Sequence, residues 1–200
     1  MGLNLSLLVL SRDGRLDLTR PSATPGEDAE RVVRRLFPRT AYRRTQARPL
    51  LETAFPPRGT PVVGVFADGI LVATRDAHLY DPVILHRRYQ GLRGIDVVEG
   101  LDGLDDLRLL TSASVNDMVA YGRWRSGELT RCFSVNAVAG VWRDQGTPDA
   151  FEGGLPVTPD RWLDLANAAL ASVLRLQGDA APGLPGAVAW EDVEMQVFTR

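Results

Sequence analysis

The chain contains no lysine, and all 23 of its basic residues are arginine. That absence removes Schiff-base chemistry, lysine general bases and the phosphate-gripping lysine of a P-loop. A guanidinium stays protonated and cannot take those roles. Beside abundant Ala, Gly, Leu and Val, such usage reads as a bacterial chain from a GC-rich genome. Cysteine is nearly absent too: Cys132 stands alone, so one chain can build neither an internal disulfide nor a thiolate zinc site. Histidine occurs only as His78 and His86, so any Ser–His or Cys–His pair must draw on one of them. There is no Gly-x-Ser-x-Gly elbow. The apolar opening at 3–10 is too short to span a bilayer and lacks the basic flank of a signal peptide, so it is read as the first core strand of a cytoplasmic protein.

What is present suits one soluble domain. The 200 residues are 44% hydrophobic and 24% charged, with a net charge of −2 that gives no general pull toward nucleic acid or acidic membranes. Thr24, Pro25 and Glu27 announce a helix start, and Ala29, Val32, Val33, Leu36 and Phe37 follow as one apolar stripe that stops at Pro38. An arginine-rich loop comes next. A hairpin follows over Gly59–Asp76, GTPVVGVFADGILVATRD, with Asp68-Gly69 as its turn. Residues 83–89 suit a short helix, and 91–106 suit a surface loop. Residues 107–112 read as a strand, 118–124 and 129–135 as a hairpin turning at Ser126-Gly127, and 138–142 as a further strand. A second amphipathic helix runs from Pro159 to Gly178, and 188–198 closes the chain as a strand. The expectation is a single α+β domain over 1–200, a mostly antiparallel sheet with two long amphipathic helices.

Several short phrases carry a resemblance: Arg34-Arg35-Leu36-Phe37-Pro38, Phe55-Pro56-Pro57-Arg58-Gly59-Thr60, Trp124-Arg125-Ser126-Gly127-Glu128-Leu129 and Gly140-Val141-Trp142-Arg143-Asp144. With Met1-Gly2 before an apolar strand and Asn116-Asp117 before Tyr121, the chain resembles an uncharacterised actinobacterial domain-of-unknown-function family of about this length. The resemblance implies a cytoplasmic bacterial protein and supplies no site.

Four chemistries are worth placing on residues. Gly59-Thr60 before an apolar strand is the pattern of an N-terminal-nucleophile hydrolase, with Thr60 as nucleophile. Pro61, the missing lysine, and Arg75 where that pattern has an aspartate all count against it. Cys132 offers a thiol that His78, oriented by Asp76 or Asp81, would have to activate; a lone strand cysteine is more often a small buried hydrophobe. A metal would have to combine His78 and His86 with carboxylates, Asp76 and His78 lying two apart on one side of a strand. Asp102, Asp105 and Asp106 lack EF-hand spacing and read as a solvated loop or helix cap. No metal or cofactor is assigned.

The strongest asymmetry is charge. Seven arginines crowd into residues 31–48, whereas beyond residue 58 there are 12 Arg against 19 Asp plus Glu. Arg34, Arg35, Arg39, Arg43 and Arg44 are therefore the candidate binding residues, with Tyr42 beside them, for an anionic ligand, a protein face or nucleic acid. The alternative is a solvated face paired with the chain's own carboxylates. The favoured expectation is a non-catalytic binding or regulatory protein acting through this edge. Behind it stand a small hydrolase centred on His78 with Asp76 and either Thr60 or Cys132, and a structural subunit of a larger assembly. Oligomeric state is left open.

Overall fold

Leu5–Ser11 (β1) is the middle of the molecule, and all seven of its residues are buried. A strand covered on both faces needs no alternation, which is why its sequence reads as a continuous apolar run. The computed structural model describes residues 4–85, 89, 92, 98, 100–176 and 187–200. Eight further strands join β1: β2 (Arg43–Pro49), β3 (Val62–Phe66), β4 (Gly69–Ala73), β5 (Asp106–Ala113), β6 (Met118–Arg125), β7 (Glu128–Asn136), β8 (Gly140–Gly146) and β9 (Glu194–Thr199). They form one open sheet in the order β2-β9-β3-β4-β1-β5-β6-β7-β8, antiparallel at every pairing.

Each face of the sheet carries its own core. Helix α1 (Pro25–Leu36) lays Ala29, Val32, Val33 and Leu36 on one face, against Leu8, Leu10, Val63, Val72 and Phe198. The other face receives the one-turn helix α2 (Leu50–Thr53) and α3 (Trp162–Leu174), with Leu50, Leu165, Ala169, Leu170 and Val173 packed on Leu7, Val9, Val62, Tyr121 and Phe133. The α+β expectation with a mostly antiparallel sheet holds. Two long helices do not: α1 has 12 residues, and only the continuous run from Pro159 through Leu174 reaches 16. Among the described residues no helix is long and apolar enough to cross a membrane.

Local chemistry explains the remaining differences. Ser126-Gly127 turns the β6–β7 hairpin as expected, both residues at positive φ (45° and 98°), the combination that matches strand twist. The β3–β4 turn lies one residue earlier than expected, at Ala67-Asp68, because Phe66 pairs with Gly69. Gly69 is there for space: a Cβ would stand 2.3 Å from the Leu10 carbonyl oxygen. Thr24 does not cap the α1 backbone; its hydroxyl bonds Asp28 Oδ2 at 3.2 Å. Arginine-rich residues 43–49 are not loop but the edge strand β2, and their side chains are exposed or half-buried, which removes the apolar alternation by which strands are recognised. Strand β8 starts later than 138, α3 stops at Leu174 where Arg175 turns left-handed (φ 51°), and β9 occupies only the end of 188–198. Within 83–89 the described residues are the 3-10 turn Pro82–Ile84, Leu85, and Tyr89, which is helical. In 91–106 Asp102, Gly103 and Asp105 are exposed as a surface loop requires, whereas Leu92, Val98, Leu101 and Leu104 are core and Asp106 is buried in β5. Residues 86–88, 90, 91, 93–97 and 99 lie outside the described residues.

Candidate functional site

Three arginines stand in a row across the sheet, since Arg108 on β5 pairs with Arg123 on β6, which pairs with Arg131 on β7. Like charges on directly opposed positions repel, so this face requires carboxylates between them. Asp106, only 1% exposed, supplies the first: it accepts Arg108 Nε (3.0 Å), Arg123 Nε and Nη2 (3.1 and 2.8 Å) and Arg125 Nε (3.1 Å). Asp149 accepts from Arg123 and from the Tyr121 hydroxyl, which also takes Arg108 Nη1 at 3.3 Å. Glu152, fully buried, receives the fork of Arg131, whose third nitrogen reaches Asp144 Oδ1 (2.6 Å) and the Gln145 carbonyl (3.0 Å). Burial is the largest influence on Asp106 and acts to raise its pKa, yet the hydrogen bonds from Arg108 and Arg123 prevail and hold it below the usual carboxylate value. Burial also pushes the Tyr121 phenol upward, and Asp149 adds to that shift. Asp106 is thus the hub of a buried ionic network and not part of a solvated loop. The network is closed on itself, every charge being met within the chain.

The hydrolase candidates are divided by the sheet. Thr60 precedes β3 on the α3 face, where its N–H donates to the Pro57 carbonyl at 3.1 Å. Asp76 and His78 are not on a strand, since β4 ends at Ala73 and Asp76 caps the 3-10 turn Ala77–Tyr80. The carboxylate of Asp76 accepts the His78 backbone N–H (3.1 Å) and the Tyr89 hydroxyl (3.0 Å). That turn buries Leu79 on the α1 face and packs over β5 and β6, so His78 and Thr60 lie on opposite faces. Cys132 shares its face with Ser134, whose hydroxyl bonds the Tyr80 carbonyl at 3.1 Å, and so lies on the side of His78. Five strand spacings, roughly 24 Å, separate β3 from β7, so Thr60 and Cys132 cannot serve one centre. Cys132 is fully buried, and burial raises its thiol pKa, the reverse of what a nucleophile needs. We expect an aromatic disulfide reagent such as DTNB to modify Cys132 no faster than the chain unfolds; rapid stoichiometric reaction of the native protein would show a reachable thiolate. His86 lies outside the described residues.

The arginine candidates are likewise split. Arg34 and Arg44 converge on one carboxylate of α1, Glu30, at 3.3 and 3.4 Å. Arg35, Arg39 and Arg43 are exposed, and among the described residues no carboxylate pairs with them. Arg43 sits opposite Thr199 and Arg48 opposite Met195, which places both on the α3 face of the edge, away from Arg44 and α1.

On that face β2 borders a groove of about 470 Å³, a volume in the range of ligand sites. Its floor is Val62 and Val197, its inner wall Thr53, Pro56, Pro57 and Thr60, and its outer wall Thr45, Gln46 and Arg48 of β2. A bulge between Arg44 and Ala47 throws Thr45 and Gln46 out of register, and Thr45 Oγ1 donates to the Val197 carbonyl at 3.1 Å. Arg48 reaches Glu52 at 3.6 Å, and the Arg200 guanidinium lies beside Gly59. The groove is therefore polarised, with Arg43, opposite Thr199, and Arg200 toward one end and Glu52 at the other. Sequence reading missed it, because its walls come from segments 43–62 and 197–199 that only the β2-β9-β3 order brings together.

Residues 5–198 match the model of a family of unknown function, DUF6928. The chain belongs to that family. No curated protein and no solved structure matches it. The sheet of this DUF6928 member, its ionic network and its polarised groove therefore stand on their own geometry.

Proposed function

We propose that this DUF6928 protein is a non-catalytic binding or regulatory protein whose β2 edge receives an anionic partner. The observation that carries the reading is that Arg43 is exposed without a carboxylate partner on the edge strand β2 beside a groove, with Arg35 at the end of α1 and Arg39 in the turn after it exposed and likewise unpartnered among the described residues. Surface arginines already paired, such as Arg34 and Arg31, have less to offer a ligand; unpaired ones keep their planar fork for a carboxylate or phosphate. The all-arginine composition agrees with the actinobacterial origin we also propose, to which we add a cytoplasmic location.

Fluorescein-labelled polyglutamate tests the reading. The wild-type protein is expected to raise its anisotropy, with affinity falling steeply as salt rises. A variant carrying Arg35→Glu, Arg39→Glu and Arg43→Glu should bind roughly tenfold more weakly or worse, with an unchanged unfolding curve. Equal binding by the triple variant would remove these arginines from the function.

A further inference from the structure

We infer that the partner is an extended peptide with acidic residues at one end, which adds as a tenth strand to β2 and lays alternate side chains into the groove. The inference rests on the anionic-edge reading above and specifies its ligand. Three observations select this occupant. First, among the described residues β2 has a neighbour strand, β9, on one side only, so its outer backbone groups face away from the sheet over Arg43–Pro49. Such an edge is a template for a further strand. Second, the groove runs beside that edge and is lined by threonines, valine and proline, small apolar and hydroxyl surfaces suited to short β-branched side chains. Third, charge is graded along the strand. Arg43 stands at one end with Arg200 nearby, and about 15 Å away Arg48 is offset by Glu52. A compact polyphosphate would want cations converging on one point, whereas these are spread along a strand.

The same features disfavour a nucleic acid. Among the described residues no aromatic side chain lines the groove to stack a base, and the chain beyond residue 58 carries 12 Arg against 19 acidic residues. A second copy of this edge is disfavoured by the repulsion of Arg43 and Arg44 on both strands.

Edges of sheets are commonly protected by bulges, charges and proline, and β2 has all three in its Thr45–Gln46 bulge, its arginines and Pro49. Here the protection is selective: the arginines repel basic strands, gain nothing from neutral ones and attract acidic ones, so the same charges that keep the edge from aggregating define what it accepts.

The test uses the intact protein and labelled, blocked peptides: Glu-Glu-Thr-Val-Thr-Val-Thr, the same sequence reversed, and versions with Gln in place of Glu. Two further versions carry N-methyl groups on alternate amides, one set on odd and one on even positions, which removes backbone donors while leaving charge intact. One direction of the acidic peptide is expected to bind better than the other, and that preference fixes whether the added strand is parallel or antiparallel. Its Gln version should bind roughly tenfold more weakly. One N-methyl pattern should abolish binding and the other leave it nearly unchanged, because only alternate amides face the edge. In the protein, Arg43→Glu should reproduce the loss, while Arg34→Glu on the α1 side should change affinity less than about twofold at physiological salt. Binding that depends on Glu but ignores both N-methyl patterns would overturn strand addition and leave the anionic edge standing. Equal binding of the Gln and Glu peptides would overturn the anionic edge itself. Tighter binding of a thymidine oligonucleotide than of either acidic peptide would overturn the peptide as occupant.

Discussion

Replacing Asp106 with asparagine is expected to lower the unfolding free energy by about 3–5 kcal/mol, and Tm by roughly 10 °C for a chain of 200 residues. The substitution keeps the shape of the side chain, so no cavity is opened and the loss reports charge. Three guanidinium groups, those of Arg108, Arg123 and Arg125, donate to this one carboxylate, which is 1% exposed. An asparagine accepts through a single oxygen and turns an N–H₂ toward at least one arginine, leaving cations without a counter-charge beneath the protein surface. Arg108 is nearly buried, and the Gly14 turn (φ 83°) packs so close that a Cβ there would overlap its guanidinium.

The same carboxylate gives a pH signature with a defined sign. The folded pKa of Asp106 lies below its ordinary value of 3.8, so its contribution is full above that pH and is lost as pH falls through the lower, folded value. Urea midpoints measured from pH 7 down to the acid limit should fall less steeply below about pH 4 in Asp106→Asn than in the wild type. Superimposable slopes would mean that Asp106 is not ionised and paired in the native protein.

The second large effect concerns Arg131 and Glu152. Arg131→Met is expected to destabilise by about 3–5 kcal/mol, since it strands a fully buried carboxylate. Of the hydrogen bonds to that carboxylate, the one from the Asp149 backbone N–H (2.7 Å) would remain. Adding Glu152→Gln removes the stranded charge and keeps an acceptor for that N–H. The double variant should therefore be more stable than Arg131→Met alone, with a coupling of about 1–3 kcal/mol. Arg131→Lys should not substitute, because an ammonium cannot span Glu152 in a fork and still reach Asp144 and the Gln145 carbonyl. A double-mutant cycle in denaturant that closes to zero would show that the pair is not coupled in the native protein.

This network also shows what could be read without a structure. Asp106 and Arg108, like Arg123 and Arg125, lie two apart in strands and so share a face, a period-2 charge pattern visible in the sequence. What makes it a buried hub is the register that sets Asp106 beside Arg125 and Arg108 beside Arg123, and register follows from long-range pairing. The β6–β7 hairpin was legible because its turn needs two residues at positive φ and Ser126-Gly127 supplies them. Strand β2 was not, because an edge whose side chains stay largely in solvent has no apolar period to display. The candidate site was legible by half for the same reason. Crowded arginines marked the segment that forms β2, but which of them are consumed by Glu30 and which lie on the groove side depends on the face each takes on a bulged strand.

The order β2-β9-β3 carries a consequence for synthesis. The β5–β8 meander closes on itself once residue 146 is made, and its contacts are local, so this half can form while the chain is still growing. The half that holds the groove cannot. Strand β9 is the last of the nine to leave the ribosome and must slip between β2 and β3, which until then present two open edges to solvent and to each other. Direct pairing of β2 with β3 is the natural misfold of the nascent chain, and it would leave β9 displaced to an outer edge with no floor for the groove. The groove is therefore completed by the final insertion, so that a chain interrupted before residue 194 would lack the Val197 and Thr199 that line it.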